Sequence, residues 1–342
     1  MTTPREQGFA MPPEWARHDR CWMAWPCRAE LWGERLAAAQ QACAEIARTI
    51  AEFEPVTMIA RPELTAEASL RCGQGISVLP LEHDDCWTRD TLPTFVVDPR
   101  GQLAGIDWRF NFYGGTALGQ AADARLAEAI CERLKVPRFT APVVLEGGAV
   151  HVDGEGTCLV CARSLLDPGR NPGLGREAME SALADHLGVS KVIWLEAGLQ
   201  DDPAGGHVDN LARFARPGVV IALACRDESD ANHAGLQGNL ARLRGESDAQ
   251  GRSLEVIEIE QPAARWQPDG RRLCASYVNF YLPNGAVLVP MFDDPMDNPA
   301  FNAIAAAFAD RQALHIDADD LLHGGGGIHR ITQQQPAVPE AS

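Results

Sequence analysis

The 342-residue sequence predicts an α/β fold in which one unit of strand, turn, strand, helix and strand recurs about five times. Three observations point there. Stretches with apolar residues at three- and four-residue spacing alternate with short β-rich runs, the runs come in hairpin-like pairs, and polar clusters recur beside the strands. An ordinary mixed α+β sheet is the alternative that element order leaves open.

The first unit has only CWMAWP at residues 21–26 before its helix, expected over 34–53, and VTMIA from Val56 as the strand after it. The second pairs the two halves of TFVVDPRGQLAGIDW from Thr94, then gives a helix over 121–135 and the strand PVVLE from Pro142. The third pairs the halves of AVHVDGEGTCLVCA from Ala149, with a helix over 176–187 and the strand KVIWLE from Lys191. The fourth uses NLARFARPGVVIALAC from Asn210, a helix over 233–244 and LEVIEIE from Leu254; the fifth uses YVNFYLPNGAVLVP from Tyr277, a helix over 299–309 and ALHIDA from Ala313. The turns read Asp-Pro-Arg-Gly, Asp-Gly-Glu-Gly, Arg-Pro-Gly and Pro-Asn-Gly, which supply positive or preset φ where a hairpin reverses. A last strand-like piece, GIHRIT from Gly327, is expected to pair with the incomplete first unit and close a ring. No Pro-, Gly- or Ser-rich linker divides the chain, so one domain over 1–342 is expected, with 334–342 as a flexible tail.

The composition excludes several function classes. Hydrophobic residues make up 46% and charged residues 23%, which suits a globular protein and not a disordered one. No apolar run approaches the ~18 residues of a membrane span, and the opening residues lack the basic start and apolar core of a secretory signal, so a cytoplasmic protein is expected. With 47 acidic and 30 basic residues the net charge is −17, which argues against nucleic acid and anionic membranes as partners. A cationic substrate suits that charge, and so does plain solubility. The ten cysteines are irregularly spaced and read as buried thiols; Cys158-x-x-Cys161 has metal-like spacing but no second ligand pair.

Four polar clusters stand beside strands: residues 84–90 (DDCWTRD), Glu146-Gly147-Gly148 with His151, residues 205–210 (GGHVDN), and residues 323–329 (HGGGGIH). Singly, each has a bland reading. Asp90 could pair with Arg89 on the surface, Glu146 could cap a turn, His207 could be a core histidine, and the glycines could form a flexible loop. Together they occupy corresponding places in successive units, which a closed ring would bring to one axis. Two carboxylates gripping a guanidinium edge-on give bidentate, charge-assisted hydrogen bonds that an ammonium cannot match. His207 and Asp209, two apart, would face the same side of a strand, one moving protons and the other holding substrate.

Motifs along nearly the whole chain resemble those of the agmatine deiminase family, itself similar to bacterial peptidylarginine deiminase. They are MPPEWARHDRCWMAWP from Met11, DDCWTRDTLPTFVVD from Asp84, LEGGAVHVDGEGT from Leu145, GGHVDNLARF from Gly205, SYVNFYLPNGAVLVP from Ser276, FDDPMDNPAF from Phe292 and GGGGIHRITQQQP from Gly324. The resemblance implies the pseudo-fivefold α/β propeller (pentein fold) of guanidino-group-modifying enzymes. It implies a hydrolase of guanidino C–N bonds that converts agmatine to N-carbamoylputrescine and ammonia, on the way to putrescine in polyamine biosynthesis. Neither metal nor organic cofactor is implied, and a homodimer is. In the family reaction a cysteine thiolate attacks the guanidinium carbon, ammonia leaves after proton transfer from histidine, and water cleaves the S-alkylthiouronium. By motif, Asp90 and Asp209 resemble the guanidinium-binding carboxylates and His207 the general acid and base. Glu146 lies near the reacting end, Asn279 resembles a substrate contact, and Trp87 flanks the alkyl chain. Asp84, Asp85 or Asp202 could receive the second cation of agmatine.

One position departs from the pattern. The family motif ends GGGNIHC, whereas here Gly327 replaces the asparagine and Arg330 stands where the nucleophilic cysteine belongs, with matching flanks on both sides. Arginine keeps its proton up to a pKa of about 12 or more and has no lone pair for attack. A loss of several orders of magnitude in rate is expected, nucleophile removal elsewhere costing on the order of 10⁶. Arg330 could fold inward as an internal mimic of the substrate, leaving a non-catalytic guanidino-binding or regulatory protein. The alternatives are that it points outward, or that it is a single altered codon.

Overall fold

The computed structural model describes residues 2–115 and 121–338. Its strands form five separate open sheets. The first contains β1 (His18–Ala24), β2 (Val56–Ala60) and β3 (Ile76–Pro80); β1 and β2 run parallel with Cys21 opposite Val56, and β2 and β3 run parallel with Val56 opposite Ile76. The next three sheets share one plan, an antiparallel hairpin followed by a parallel strand. They are β4 (Thr94–Val97), β5 (Leu103–Arg109) and β6 (Arg138–Val144); β7 (Val150–Val152), β8 (Thr157–Cys161) and β9 (Lys191–Leu195); and β10 (Ala212–Arg216), β11 (Val219–Ala224) and β12 (Glu255–Glu260). The fifth has only β13 (Ala286–Met291) and β14 (Gln312–Asp317), again parallel. Parallel neighbours need a crossover, and helices supply it: α1 (Leu36–Ala51), α2 (Thr65–Cys72), α3 (Leu126–Leu134), α4 (Arg176–Leu187), α5 (His233–Arg244) and α6 (Asp297–Ala307).

Burial follows the periods in the sequence. In α1 the buried Ala39, Cys43, Ala47 and Ile50 recur every three or four positions, and β11, VVIALA, is buried on both faces. Gly188 ends α4 in a left-handed conformation at φ 73°, and a Cβ there would come within 2.9 Å of Ala10 Cβ. No helix among the described residues is long and apolar enough to cross a membrane.

The fold departs from the sequence expectations in three places. The expected fifth hairpin reduces to a single bridge between Tyr281 and Leu288. The buried Arg213 guanidinium takes the carbonyls of Val278 and Phe280, which a strand ladder would otherwise use. In the GIHRIT segment, His329–Ile331 form a 3₁₀ turn and the strand lies further on, as β15 (Gln333–Pro336). β15 pairs antiparallel with β1, Trp22 opposite Gln333, so the pairing is the expected one with a later strand. The flexible-tail expectation therefore fails for residues 334–336, while 339–342 lie outside the described residues. Three glutamines can be buried there because each side chain has a partner. Gln333 donates to the Pro93 carbonyl at 3.0 Å, Gln334 accepts from Arg89 at 2.6 Å, and Gln335 accepts from Trp22 Nε1 at 3.0 Å.

Candidate active site

Four short helical turns carry the polar clusters, and each leads into a strand. Thr88–Thr91 leads into β4, Gly147–Ala149 into β7, Val208–Asn210 into β10 and His329–Ile331 into β15. Asp209 thus sits on a 3₁₀ turn and His207 immediately before it, and neither is on the strand the sequence suggested. They still face one point. A Cβ at Gly148 would lie 2.7 Å from His207 Nδ1 and 3.0 Å from both Asp209 Oδ2 and Asp90 Oδ1. Only glycine leaves room for these three groups, and its N–H donates to Asp90 Oδ1 at 3.1 Å.

Arg330 points inward and is buried. Its Nε donates to Asp90 Oδ2 at 3.2 Å, its Nη2 lies 3.2 Å from the same oxygen, and Nη1 donates to the Gly325 carbonyl. The guanidinium carbon is 5.0 Å from the ring centroids of both Trp87 and Tyr113. Tyr113 also donates its hydroxyl to Asp90 Oδ2 at 3.0 Å. A planar cation between two aromatic faces with a carboxylate at its edge is the environment a guanidinium favours. Burial opposes its charge, yet the surrounding acids, Asp90 and Asp209 among them, hold its pKa well above the ordinary value. Gly326 makes the close approach possible, since a Cβ there would meet Trp87 at 2.5 Å and Arg330 Cδ at 2.8 Å.

The other groups form a chain of buried charges. His207 Nε2 lies 3.2 Å from Glu146 Oε2, and Arg170 Nε donates to both Glu146 oxygens at 2.9 and 3.1 Å. His207 Nδ1 stands 3.7 Å from Asp90 Oδ1 and lacks a hydrogen-bond partner among the described residues. Burial alone would lower the His207 pKa, but Asp90 and Glu146 overcome it and raise it. The same contact works in reverse on Glu146, where His207 and Arg170 outweigh burial and depress the carboxyl. Asp209 is held at about 2, against burial, chiefly by His329, whose Nδ1 lies 2.8 Å from Asp209 Oδ2. Among the described residues, Asp209 Oδ1 has no partner.

The edge-on grip by two carboxylates expected from the sequence is thus a grip by Asp90 alone on Arg330. Trp87 does lie against the guanidinium. Asn279 acts one step back: its Oδ1 accepts the His329 N–H at 3.1 Å, and a Cβ at position 327 would strike that oxygen at 2.5 Å. Two of the three acids considered for a second cation are engaged elsewhere. Asp202 accepts the N–H groups of Ala204, Gly206 and His207, and Asp84 those of Ala122 and Asp123. Asp85 accepts Trp32 Nε1 at 3.1 Å through one oxygen only. Sequence reasoning missed Tyr113, Arg170, Glu14 and Arg213. For Tyr113 the run FNFYGG was a usable signal, an aromatic cluster running into a glycine turn; Glu14 and Arg213 lie inside the family-like motifs from Met11 and Gly205, and Arg170 stands in an unremarkable context.

Comparison over the whole chain identifies its relatives. The family model of Porphyromonas-type peptidyl-arginine deiminase matches residues 10–336. The chain is 41% identical over 364 residues to the agmatine deiminase of Stutzerimonas stutzeri, covering 98% of each chain. It is 40% identical over 359 residues to that of Pseudomonas putida, again covering 98% of each. A solved structure of the agmatine deiminase of Enterococcus faecalis catalysing its reaction superimposes with a TM-score of 0.94 at 33% identity, covering 98% of both chains. The chain belongs to the agmatine deiminase and Porphyromonas-type peptidyl-arginine deiminase family.

Proposed function

We propose that the site is a guanidinium pocket made for the agmatine deiminase reaction and that this chain carries it without the nucleophile. The observation that supports this most directly is Arg330 itself. Its guanidinium lies buried on Asp90 between Trp87 and Tyr113, so the chain's own side chain takes the place of a small guanidino substrate such as agmatine. In this reading Asp90 and Asp209 hold the substrate guanidinium and His207 moves protons. Asp90 and Glu146 keep His207 charged, Arg170 holds Glu146 in place, Trp87 lies along the substrate chain and Asn279 fixes the turn. The missing step is the first one. A thiolate at position 330 would bond to the guanidinium carbon, ammonia would leave with a proton from His207, and water would then break the C–S bond to release the ureido product. Arginine offers no such electron pair. The five sheets are then the blades of a pentein propeller within one domain, in a cytoplasmic protein that pairs as a homodimer.

Self-blocking is the second reading, favoured by the number of contacts Arg330 makes. A pocket whose acid is already neutralised binds agmatine only if Arg330 swings out, which suits a non-catalytic or regulatory protein. One assay tests the assignment that both readings share: release of ammonia and N-carbamoylputrescine from agmatine by the unmodified chain beside Arg330→Cys. The cysteine variant is expected to turn over at least 10³-fold faster, a fraction of the loss of order 10⁶ known for removed nucleophiles. Comparable rates would refute the assignment of position 330.

A further inference from the structure

We infer that His329 is a positioning residue: an imidazolium clamped between Glu14 and Asp209 that fixes the Asp209 carboxylate and leaves its second oxygen free for the substrate guanidinium. The inference rests on the reading of Asp209 as a substrate carboxylate.

Both ring nitrogens meet an acid at the same short distance. Nδ1 lies 2.8 Å from Asp209 Oδ2 and Nε2 lies 2.8 Å from Glu14 Oε2. An ionised carboxylate can only accept, so each contact needs an N–H, and a neutral imidazole has only one. Both acids are ionised. Burial opposes this, but cations other than the ring favour the ionised forms: Arg213 and Arg89 act on Glu14, and His207 and Arg330 on Asp209. Arg213 Nη2 also stands 2.6 Å from Glu14 Oε2. A neutral ring would turn an unprotonated nitrogen toward one of the two carboxylates at 2.8 Å, two acceptors face to face with no hydrogen between them.

The remaining neighbours do not take over this role. His151 Nδ1 accepts the Phe214 N–H at 3.2 Å, so its Nε2 bears the hydrogen, and burial with Arg213 keeps the ring neutral 3.9 Å from Glu14. Arg89 donates to the His329 carbonyl at 3.3 Å and not to the ring, and Arg330 reaches Asp90. Asn279 fixes the ring's backbone through its N–H. With Oδ2 tied down in this way, Asp209 presents a buried Oδ1 with no partner among the described residues, a state that a hydrogen-bond donor would relieve.

Two measurements test this. In ¹⁵N-histidine NMR of the unmutated protein at pH 7, the assigned His329 ring is expected to show both nitrogens protonated; the pattern of a neutral tautomer overturns the inference. In the Arg330→Cys background, His329→Gln keeps one donor and loses the charge. It is expected to raise KM for agmatine at least fivefold while changing kcat less than threefold; a smaller KM effect, or a loss confined to kcat, overturns it. If that variant does not fold, the spectrum of the unmutated chain decides. If Arg330→Cys neither binds nor turns over agmatine, the functional reading fails, and the spectrum still decides the state of His329.

Discussion

Truncating Arg330 to alanine tests the pocket without any chemistry. The change removes the guanidinium facing Asp90 and leaves that carboxylate with the Tyr113 hydroxyl and the Gly148 N–H as its remaining donors. Breaking a buried ion pair by removing one partner costs about 3–5 kcal/mol. Because Arg330 is only 2% exposed, solvent screening offers little relief. Unfolding entropy of about 2.1 cal/mol/K per residue over 342 residues converts that cost to a fall in Tm of about 4–7 °C. A guanidino ligand should then restore what the side chain supplied. Agmatine at a hundredfold excess over its Kd contributes about 2.7 kcal/mol, or about 4 °C, to the variant. The unmodified chain, its site filled, should not shift. Calorimetric scans of both proteins with and without agmatine measure all four values. A variant as stable as its parent within 1 °C, or an agmatine shift equal in both, would refute the view of Arg330 as an internal substrate mimic.

Two further outcomes follow from named contacts. Burial, together with Asp84 and Asp85, raises Asp123 to about 7. The folded chain thus holds this proton to higher pH than the unfolded one, and stability is lost as pH rises from about 4 to 7. Asp123→Asn, which keeps the acceptor for the Asp84 N–H, should be more stable than its parent by ~1–4 kcal/mol at pH 8 and not at pH 4, read from urea midpoints. Gly148→Ala places a methyl 2.7 Å from His207 Nδ1 and against two carboxylates. It should lower stability by about 1–3 kcal/mol and weaken agmatine binding to Arg330→Ala at least tenfold in calorimetric titration.

The sequence exposed the repeat where local periods were clean. Helices at Arg176–Leu187 and His233–Arg244 and the hairpins of β4–β5, β7–β8 and β10–β11 stand at the expected places, because amphipathic spacing and turn glycines act locally. The misses have tertiary causes. α2 and β3 carried little apolar signal: in β3 only Leu79 is buried. The strand QQQP reads as a polar tail, and only Arg89, Pro93 and Trp22, distant in sequence, make its burial tolerable. In the site, Asp90, His207 and Asp209 were legible from their motifs, but the partition of their contacts was not. That Asp90 takes the guanidinium while Asp209 takes His329 depends on where the last turn lands.

The pairing of β15 with β1 has a consequence for how the protein is made. His18 lies opposite Pro336, a contact between the two extremes of the fold. Such separations are slow to form, since the whole intervening loop must close first. On a ribosome, Asp90 and Asp209 are both synthesised before their buried partners Arg330 and His329 emerge. Until then the nascent chain holds an interior that is acidic and incomplete. The last turn and strand therefore complete both the architecture and the electrostatics of the centre, and a ribosome that stalls short of them leaves a product with neither.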